Sequence, residues 1–545
     1  MRRLALPVAL IAGVARCGGG AGVGADEGDD GPAGDGTSGQ DGGEGQPDWH
    51  QDPGCSPPAV ARPAGSPFAD VTFAWGFGGA MVSGACMLDA EGDGDQDLFM
   101  AGNQALLFRN NGAGTFTPSS LLEAGELVII GCLAFDYDHD WDSDLFLTRA
   151  CGVGQSCGAL LLRNDNGAFT DVTEEAGLVT PGFEQSATAG DIEGDGDLDV
   201  CVATLFGNPA ETSSPQPDLL LVNDGAGHFT EEAAARGLTA AEPTFTVLFV
   251  DIDGDGDVDL HVGNDGGLIV PDRMYLNDGA GSFKDGGAMM RLDFDDDHDS
   301  SDTMGVDVGD WDLDGFPDLV VTNYDGRPTQ LYDCDADLVC RNLAAEVGLE
   351  SSGDYTNWGI GLEDFDHDMD LDLFEVSGCN FSREKCASPP VDVEDQLFWN
   401  EGGALARYLA PPGDALALNR EGRGLAFGDL DGDGDQDIAI ANFDGVQVLR
   451  NDAASGHWLR VLLRGTTSNA DGVGARVTVQ AAGGCAMTEQ RIAGGSFLSS
   501  HDPHMHFGLG PATSADVTVI WPSGLVQTLE DEAADRTIVI AEGIE

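Results

Sequence analysis

Through the middle of the chain, short apolar runs alternate with acidic loops in a fixed order. A small or apolar run leads into an Asp-rich nonapeptide, as in TVLFVD ending at Asp251 and GLAFGD ending at Asp429. An alternating run such as DLHVGN or DIAIAN follows. Alternation with a period of two is the pattern of a half-buried strand, so the flanks predict two strands joined by the acidic loop. A third run ends in Asn and Gly, as in LLFRNNG, LLLRNDNG, LLLVNDG and RMYLNDG, which marks a hairpin turn. A fourth carries a Phe: GTFTPS, GAFTDVT, GHFTEEA, GSFKDGG.

The nonapeptide begins at Asp89, Asp136, Asp191, Asp251, Asp310, Asp364 and Asp429, at steps of 47 to 65 residues. Four antiparallel strands per repeat, seven times over, predict an all-β fold: a seven-bladed β-propeller followed by a small C-terminal β domain. The seventh repeat has no Phe-bearing strand after VQVLRND. PFADVT at 67–72 matches AFTDVT at 168–173, so the N-terminal segment is expected to complete the last blade and cover its edge.

Oxygen-bearing side chains at alternating positions of a tight loop suit a hard cation such as calcium. Positions 1, 3, 5 and 9 offer side chains, and position 7 its backbone carbonyl. The candidate ligands of the first loop are Asp89, Glu91, Asp93, Asp95 and Asp97, and of the second Asp136, Asp138, Asp140, Asp142 and Asp144. The third loop offers Asp191, Glu193, Asp195, Asp197 and Asp199; the fourth Asp251, Asp253, Asp255, Asp257 and Asp259. In the fifth they are Asp310, Asp312, Asp314, Phe316 and Asp318, and in the sixth Asp364, Asp366, Asp368, Asp370 and Asp372. The seventh has Asp429, Asp431, Asp433, Asp435 and Asp437. Up to seven structural Ca2+ ions are expected. Gly holds position 6, where the chain turns sharply, except at Trp141 and Met369, whose loops also carry His139 and His367 at position 4. Glu91 and Glu193 lengthen the arm at position 3 and keep a carboxylate there. An EF-hand would need Glu at position 12, which only Glu375 supplies.

These repeats resemble FG-GAP/VCBS repeats, the calcium-loop blades of integrin α-subunits, over about residues 65–452. The resemblance implies that calcium is structural and pins each hairpin. Beyond 452 the repeat stops, and strand-like runs continue. NADGVGARV at 469–477, HFGLG at 506–510 and WPSG at 521–524 resemble the ASPIC/UnbV domain, and the combined order resembles the cartilage acidic protein class. The expected organisation is 1–17 export signal, 18–64 acidic Gly/Asp/Pro-rich tether, 65–452 propeller and 453–545 C-terminal domain.

Charge narrows the partners. The chain has 545 residues, 96 of them acidic and 24 basic, for a net charge of −72. Nucleic acid is excluded, since phosphate recognition needs clustered Lys and Arg, and an anionic membrane surface is disfavoured. With 41% hydrophobic residues the chain still has the means to build a core. Arg2, Arg3 and a short apolar run over 4–15 read as an export signal, too short to span a bilayer. Cys17 before three Gly resembles a lipid-attachment site, from which Arg16 departs, so membrane attachment is expected only through a lipid there. An extracytoplasmic location follows, secreted or as a surface lipoprotein. It fits disulfides at Cys151/Cys157, Cys334/Cys340 and Cys379/Cys386, with Cys86, Cys132 and Cys201 read as buried thiols.

No GxSxG or HExxH motif is visible. His501, His504 and His506 form a local group able to bind a transition metal, but they read better as a polar strand end. The reading favoured is a non-enzymatic binding or adhesion protein docking a protein or glycan ligand. The alternative is a carbohydrate-active hydrolase or lyase with its carboxylate pair hidden among the acidic residues.

Overall fold

The computed structural model describes residues 57–58, 62, 65–78, 81–112, 114–122, 128–150, 158–181, 183–205, 215–265, 270–292, 302–324, 327–336, 338–379, 393–453 and 455–544. The export signal, nearly all of the tether, Cys17, and the Cys151/Cys157 and Cys386 positions lie outside them.

Seven four-stranded antiparallel sheets follow one another, one per repeat. The first is typical: Val82–Leu88, Asp97–Gly102, Leu106–Asn110 and Phe116–Ser120 pair in chain order. In the seventh, Gly422–Gly428, Asp437–Asn442 and Gly445–Asn451 take their fourth strand from Phe68–Asp70, with Phe68 opposite Asn451. The PFADVT segment therefore completes the last sheet, as its likeness to AFTDVT led us to expect. The remaining strands form a three-stranded sheet around His457–Arg464 and a four-stranded sheet ordered Ala486–Gln490, Arg476–Ala481, Ser514–Ile520, Val526–Ala533.

The expectation of a closed seven-bladed propeller is corrected here. Among the described residues all nine sheets are open, and none closes on itself. Ladder hydrogen bonds end at the margins of each sheet, and neighbouring sheets meet mainly through apolar side chains. Nor does the C-terminal region stand apart. Each first strand packs against the first strands of its two neighbours, and that of the first sheet against that of the seventh. Residues 493–502 run along all seven. Ala189 N–H donates to Ala493 O at 3.1 Å, Val306 N–H to Ser496 O at 3.3 Å and Cys132 N–H to Leu498 O at 3.2 Å. Ser499 Oγ accepts from Ala85 and Leu425, Asp502 N–H donates to Phe427 O, and Thr246 Oγ1 donates to Ser496 O. Ile360 N–H donates to Ser496 Oγ.

The first strands make room by a shared device. Each has a register shift near its N-terminal end, for example between Val82 and Gly84 and between Gly422 and Leu425. A bulge of this kind twists a strand and frees backbone groups. At Gly84 a Cβ would lie 2.1 Å from Leu498 O, and at Gly424 2.4 Å from Ser499 Oγ. The glycines are there because the inserted segment comes that close.

Two disulfides are fully within view. Cys334–Cys340 closes the hairpin expected from its spacing. Cys86–Cys132 corrects the reading of those residues as thiols: they face each other on adjacent first strands, with Cα atoms 6.1 Å apart. Their separation of 46 residues hid the pairing. Cys379 and Cys485 are also disulfide-bonded, and Cys201 is a buried thiol.

Gly84→Val should cost about 3 kcal/mol, the upper part of the range for overpacking a rigid site. A denaturant melt would check this, and an unchanged midpoint would contradict the close approach.

Candidate metal centre

Each loop joins the first and second strands of its sheet and folds around its own first aspartate. Asp89 Oδ2 accepts the Gly94 N–H at 2.8 Å, and the same bond from position 6 to position 1 recurs in every loop, through Asp136, Asp191, Asp251, Asp310, Asp364 and Asp429. To present that N–H the backbone adopts positive φ at positions 4 and 6 throughout. His139 (64°), Trp141 (70°), Leu313 (63°), His367 (60°) and Met369 (76°) do what Gly does elsewhere. A non-glycine residue pays roughly 1–2 kcal/mol to sit there. The departures in the second and sixth loops therefore leave the turn intact.

Position 9 has a different role from its neighbours. Asp97 accepts Ala90 N–H at 3.1 Å and Asn110 N–H at 2.7 Å. Its counterparts do the same: Asp144 with Tyr137 and Asn164, Asp199 with Ile192 and Asn223, Asp259 with Ile252 and Asn277. Asp318 takes Trp311 and Cys334, Asp372 takes Phe365 and Asn400, and Asp437 takes Leu430 and Asn451. All seven are buried. This residue ties its loop to the third strand, a role that spacing alone does not reveal. The Asn of the third strand then reaches the previous sheet. Asn164 Nδ2 donates to Ala90 O at 3.0 Å, Asn223 to Tyr137 O, Asn277 to Ile192 O, Asn451 to Phe365 O and Asn110 to Leu430 O. Sequence reading took these Asn residues for turn markers only.

Five loops gather three carboxylates with ligand atoms all within 4.8 Å of one another. The groups are Asp136, Asp138 and Asp144; Asp251, Asp253 and Asp255; Asp310, Asp312 and Asp318; Asp364, Asp366 and Asp372; Asp429, Asp431 and Asp437. Such a cluster of hard oxygens can hold a metal ion. Several buried oxygens of these groups have no hydrogen-bond donor: Oδ1 of Asp251, Asp310, Asp366 and Asp431, and Oδ2 of Asp312. Leaving such atoms unpaired is costly, and a cation removes the cost. The two loops with Glu at position 3 differ. The longer arm carries Glu91 to Arg109 and Glu193 to Arg236, the latter at 2.6 Å, and no group of three gathers there among the described residues. Phe316 interrupts the acidic series at position 7 of the fifth loop and stands 5.6 Å from the Arg476 guanidinium. The remaining position-5 and position-7 candidates, Asp93, Asp95, Asp140, Asp142, Asp195, Asp197, Asp257, Asp314, Asp368, Asp370, Asp433 and Asp435, lie outside these five groups.

C-terminal residues contact every loop. Asp471 Oδ2 accepts Asp136 N–H at 2.8 Å, Gln490 Oε1 accepts Asp251 N–H at 2.9 Å, and Arg476 donates to Gly315 O. Gly510 N–H donates to His367 O, and Arg460 bridges Asp429 (3.0 Å) to Asp502 (2.6 Å). Thr467 O lies against Gly196, and His504 Nδ1 meets Gln96 Nε2 at 3.2 Å.

Residues 136–202 and 251–321 match the FG-GAP-like repeat family, and residues 465–545 match the family described as ASPIC and UnbV. Cartilage acidic protein 1 of Mus musculus is 25% identical over 472 residues, covering 81% of this chain and 70% of its own length. The Homo sapiens protein gives 25% over the same length and 69% of its own. FG-GAP-like repeats and an ASPIC/UnbV domain are therefore present, and the chain is homologous, at modest identity, to the cartilage acidic proteins. Among solved structures, it is similar to an Agrocybe aegerita lectin described as recognising non-reducing terminal N-acetylglucosamine. That match has 17% identity, 67% of this chain, 86% of the lectin and a TM-score of 0.39.

The three histidines near residue 504 go to different partners. His501 Nδ1 accepts Phe427 N–H, His504 Nδ1 sits 2.7 Å from Asp502 Oδ1, and His506 Nδ1 donates to Glu363 at 3.0 Å. They form no common metal site. Beside them Asp307, Glu363, Glu489, Arg476, Arg491 and His501 line a cavity of about 100 Å³. Pockets for small molecules run to roughly 300–1,000 Å³.

Burial raises the pKa of the position-9 carboxyls, to about 7 at Asp97 and about 8 at Asp199 and Asp259, and well above the carboxylate range at Asp144, Asp318, Asp372 and Asp437. A carboxyl with a raised folded-state pKa favours folding most below its unfolded value, near 3.9, and that contribution is lost as pH rises through the folded value. The metal-free protein should therefore melt higher at pH 5.5 than at pH 8. A melt that is level or rises across that window would contradict this electrostatic picture.

Proposed function

We propose that the chain is a calcium-stabilised, extracytoplasmic binding platform that docks a protein or glycan without turning it over. The observation that carries the calcium reading is the set of five loops with three converging carboxylates each, several with buried oxygens lacking a donor. Oxygen-only donor sets in acidic turns suit calcium, with 6–8 oxygen ligands, better than a transition metal. Calcium would be held by positions 1 and 3 of a loop, joined by position 9 in four of the five groups and by position 5 in the fourth loop, while position 9 keeps its two N–H partners.

The loops with Arg-paired Glu91 and Glu193 are the weakest sites on this reading, so five ions are expected to bind before the count of seven is reached. Because C-terminal residues contact every loop, an external ligand is expected at the opposite ends of the sheets or on the exposed side of the C-terminal sheets. The net charge of −72 favours a ligand that is basic or neutral over an anionic one.

Each site contributes about 1.4 kcal/mol once free calcium is tenfold above its Kd. Five such terms rival the roughly 5–15 kcal/mol of a whole domain. Chelation followed by desalting should lower the melting temperature by well over 10 °C, and elemental analysis of the calcium-loaded protein should return at least five ions per chain. An unchanged melt would overturn the calcium reading. A glycan and protein array run with calcium beside a reducing-sugar assay tests the rest: capture without sugar release is expected, and release would favour a hydrolase.

A further inference from the structure

The sixth loop is the most enclosed of the seven. Asp364, Asp366, Asp368, Asp370 and Asp372 are all buried, whereas Asp255 and Asp433 in the fourth and seventh loops are exposed. Five carboxylates cannot remain together in such a place uncompensated. Arg62, just ahead of the strand Phe68–Asp70, supplies a cation. Its Nε donates to Asp366 Oδ2, and a terminal nitrogen lies 4.0 Å from Asp368 Oδ2. Its other contacts hold it in place: Asn400 O at 2.9 Å, Glu401 Oε1 at 3.4 Å, and the face of Trp399, 4.5 Å from the guanidinium carbon. A planar cation with several fixed donors suits this mixed cradle of carboxylate, carbonyl and aromatic ring.

Asp366, at position 3, belongs to the group of three with Asp364 and Asp372, and Asp368 stands beside it at position 5. Asp366 Oδ1 and Asp370 Oδ1 have no donor even with Arg62 in place, so one guanidinium does not satisfy the loop.

We propose that Arg62 is a built-in occupant of the sixth loop, which a divalent cation displaces. The inference rests on the reading of the loops as calcium sites. At low calcium the guanidinium bridges positions 3 and 5 and holds the N-terminal side of the chain against the sixth sheet. A divalent ion, with twice the charge and room for more oxygen ligands, takes those carboxylates and frees Arg62. Attachment of the segment before the first described strand then responds to calcium, and this site binds more weakly than its carboxylate count suggests.

Calorimetric titration of metal-free protein with calcium chloride tests the proposal, comparing wild type, Arg62→Gln and Arg62→Lys. In Arg62→Gln one site should tighten about tenfold, equivalent to about 1.4 kcal/mol, with the others unchanged. Arg62→Lys should fall between, because lysine keeps the charge and loses the fork. A calcium-dependent change in Trp399 fluorescence, identified by its loss in Trp399→Phe, should be present in wild type and absent in Arg62→Gln. Superimposable isotherms with calcium bound in all three proteins would overturn the role of Arg62 alone. An absence of calcium binding in all three would overturn the calcium reading and this inference with it.

Discussion

A carboxylate removed from water must be matched by hydrogen-bond donors, by a cation or by a proton, and the seven loops meet that demand in three ways. Position 1 is matched by N–H groups of its own loop, though at Asp251 and Asp310 one oxygen is left without a donor. Position 9 is matched by N–H groups from position 2 and from the third strand. Positions 3 and 5 have too few donors in the turn, and their charge is met by an arginine or left for a metal ion. Where a nearby arginine reaches a longer Glu arm, as at Glu91 and Glu193, no three-carboxylate group forms among the described residues. The rest of the architecture depends on how these charges are settled, because the loops sit between the sheets and the C-terminal residues that contact them.

That position explains the link between the two parts of the chain. C-terminal residues touch all seven loops, and segment 493–502 hydrogen-bonds to all seven first strands. Unmatched charge in a loop therefore acts on the C-terminal residues against it and on the stitching Asn residues beside it. The Arg460 bridge between Asp429 and Asp502 is the most direct coupling, a buried cation shared by a loop and the inserted segment. Removing one partner of such a bridge leaves a buried charge unpaired, which costs far more than a surface pair.

Local features were legible in the sequence. Strand periodicity, the Asn-Gly turns, the Cys334–Cys340 hairpin and the N-terminal strand that completes the seventh sheet all follow from short-range pattern or internal likeness. Contacts between distant segments were not. Asp at position 9 looks like Asp at position 1 until the third strand is in place, and nothing near Cys86 points to Cys132. The expectation of a closed propeller failed for a related reason. Repeat arithmetic counts strands, but it does not say whether a sheet closes or that residues 493–502 enter among the first strands. One trace was available: small residues at matching places in the first strands, such as Gly84, Gly131, Gly305, Gly359 and Gly424, signal close approach by something.

The central claim is that metal in the loops holds the C-terminal segment among the sheets. Hydrogen exchange of residues 493–502, compared in calcium and after chelation at one pH, tests it most directly. The account predicts strong protection with calcium and a loss of at least tenfold on chelation, concentrated in this segment and in the loops. Equal protection in both states would contradict it.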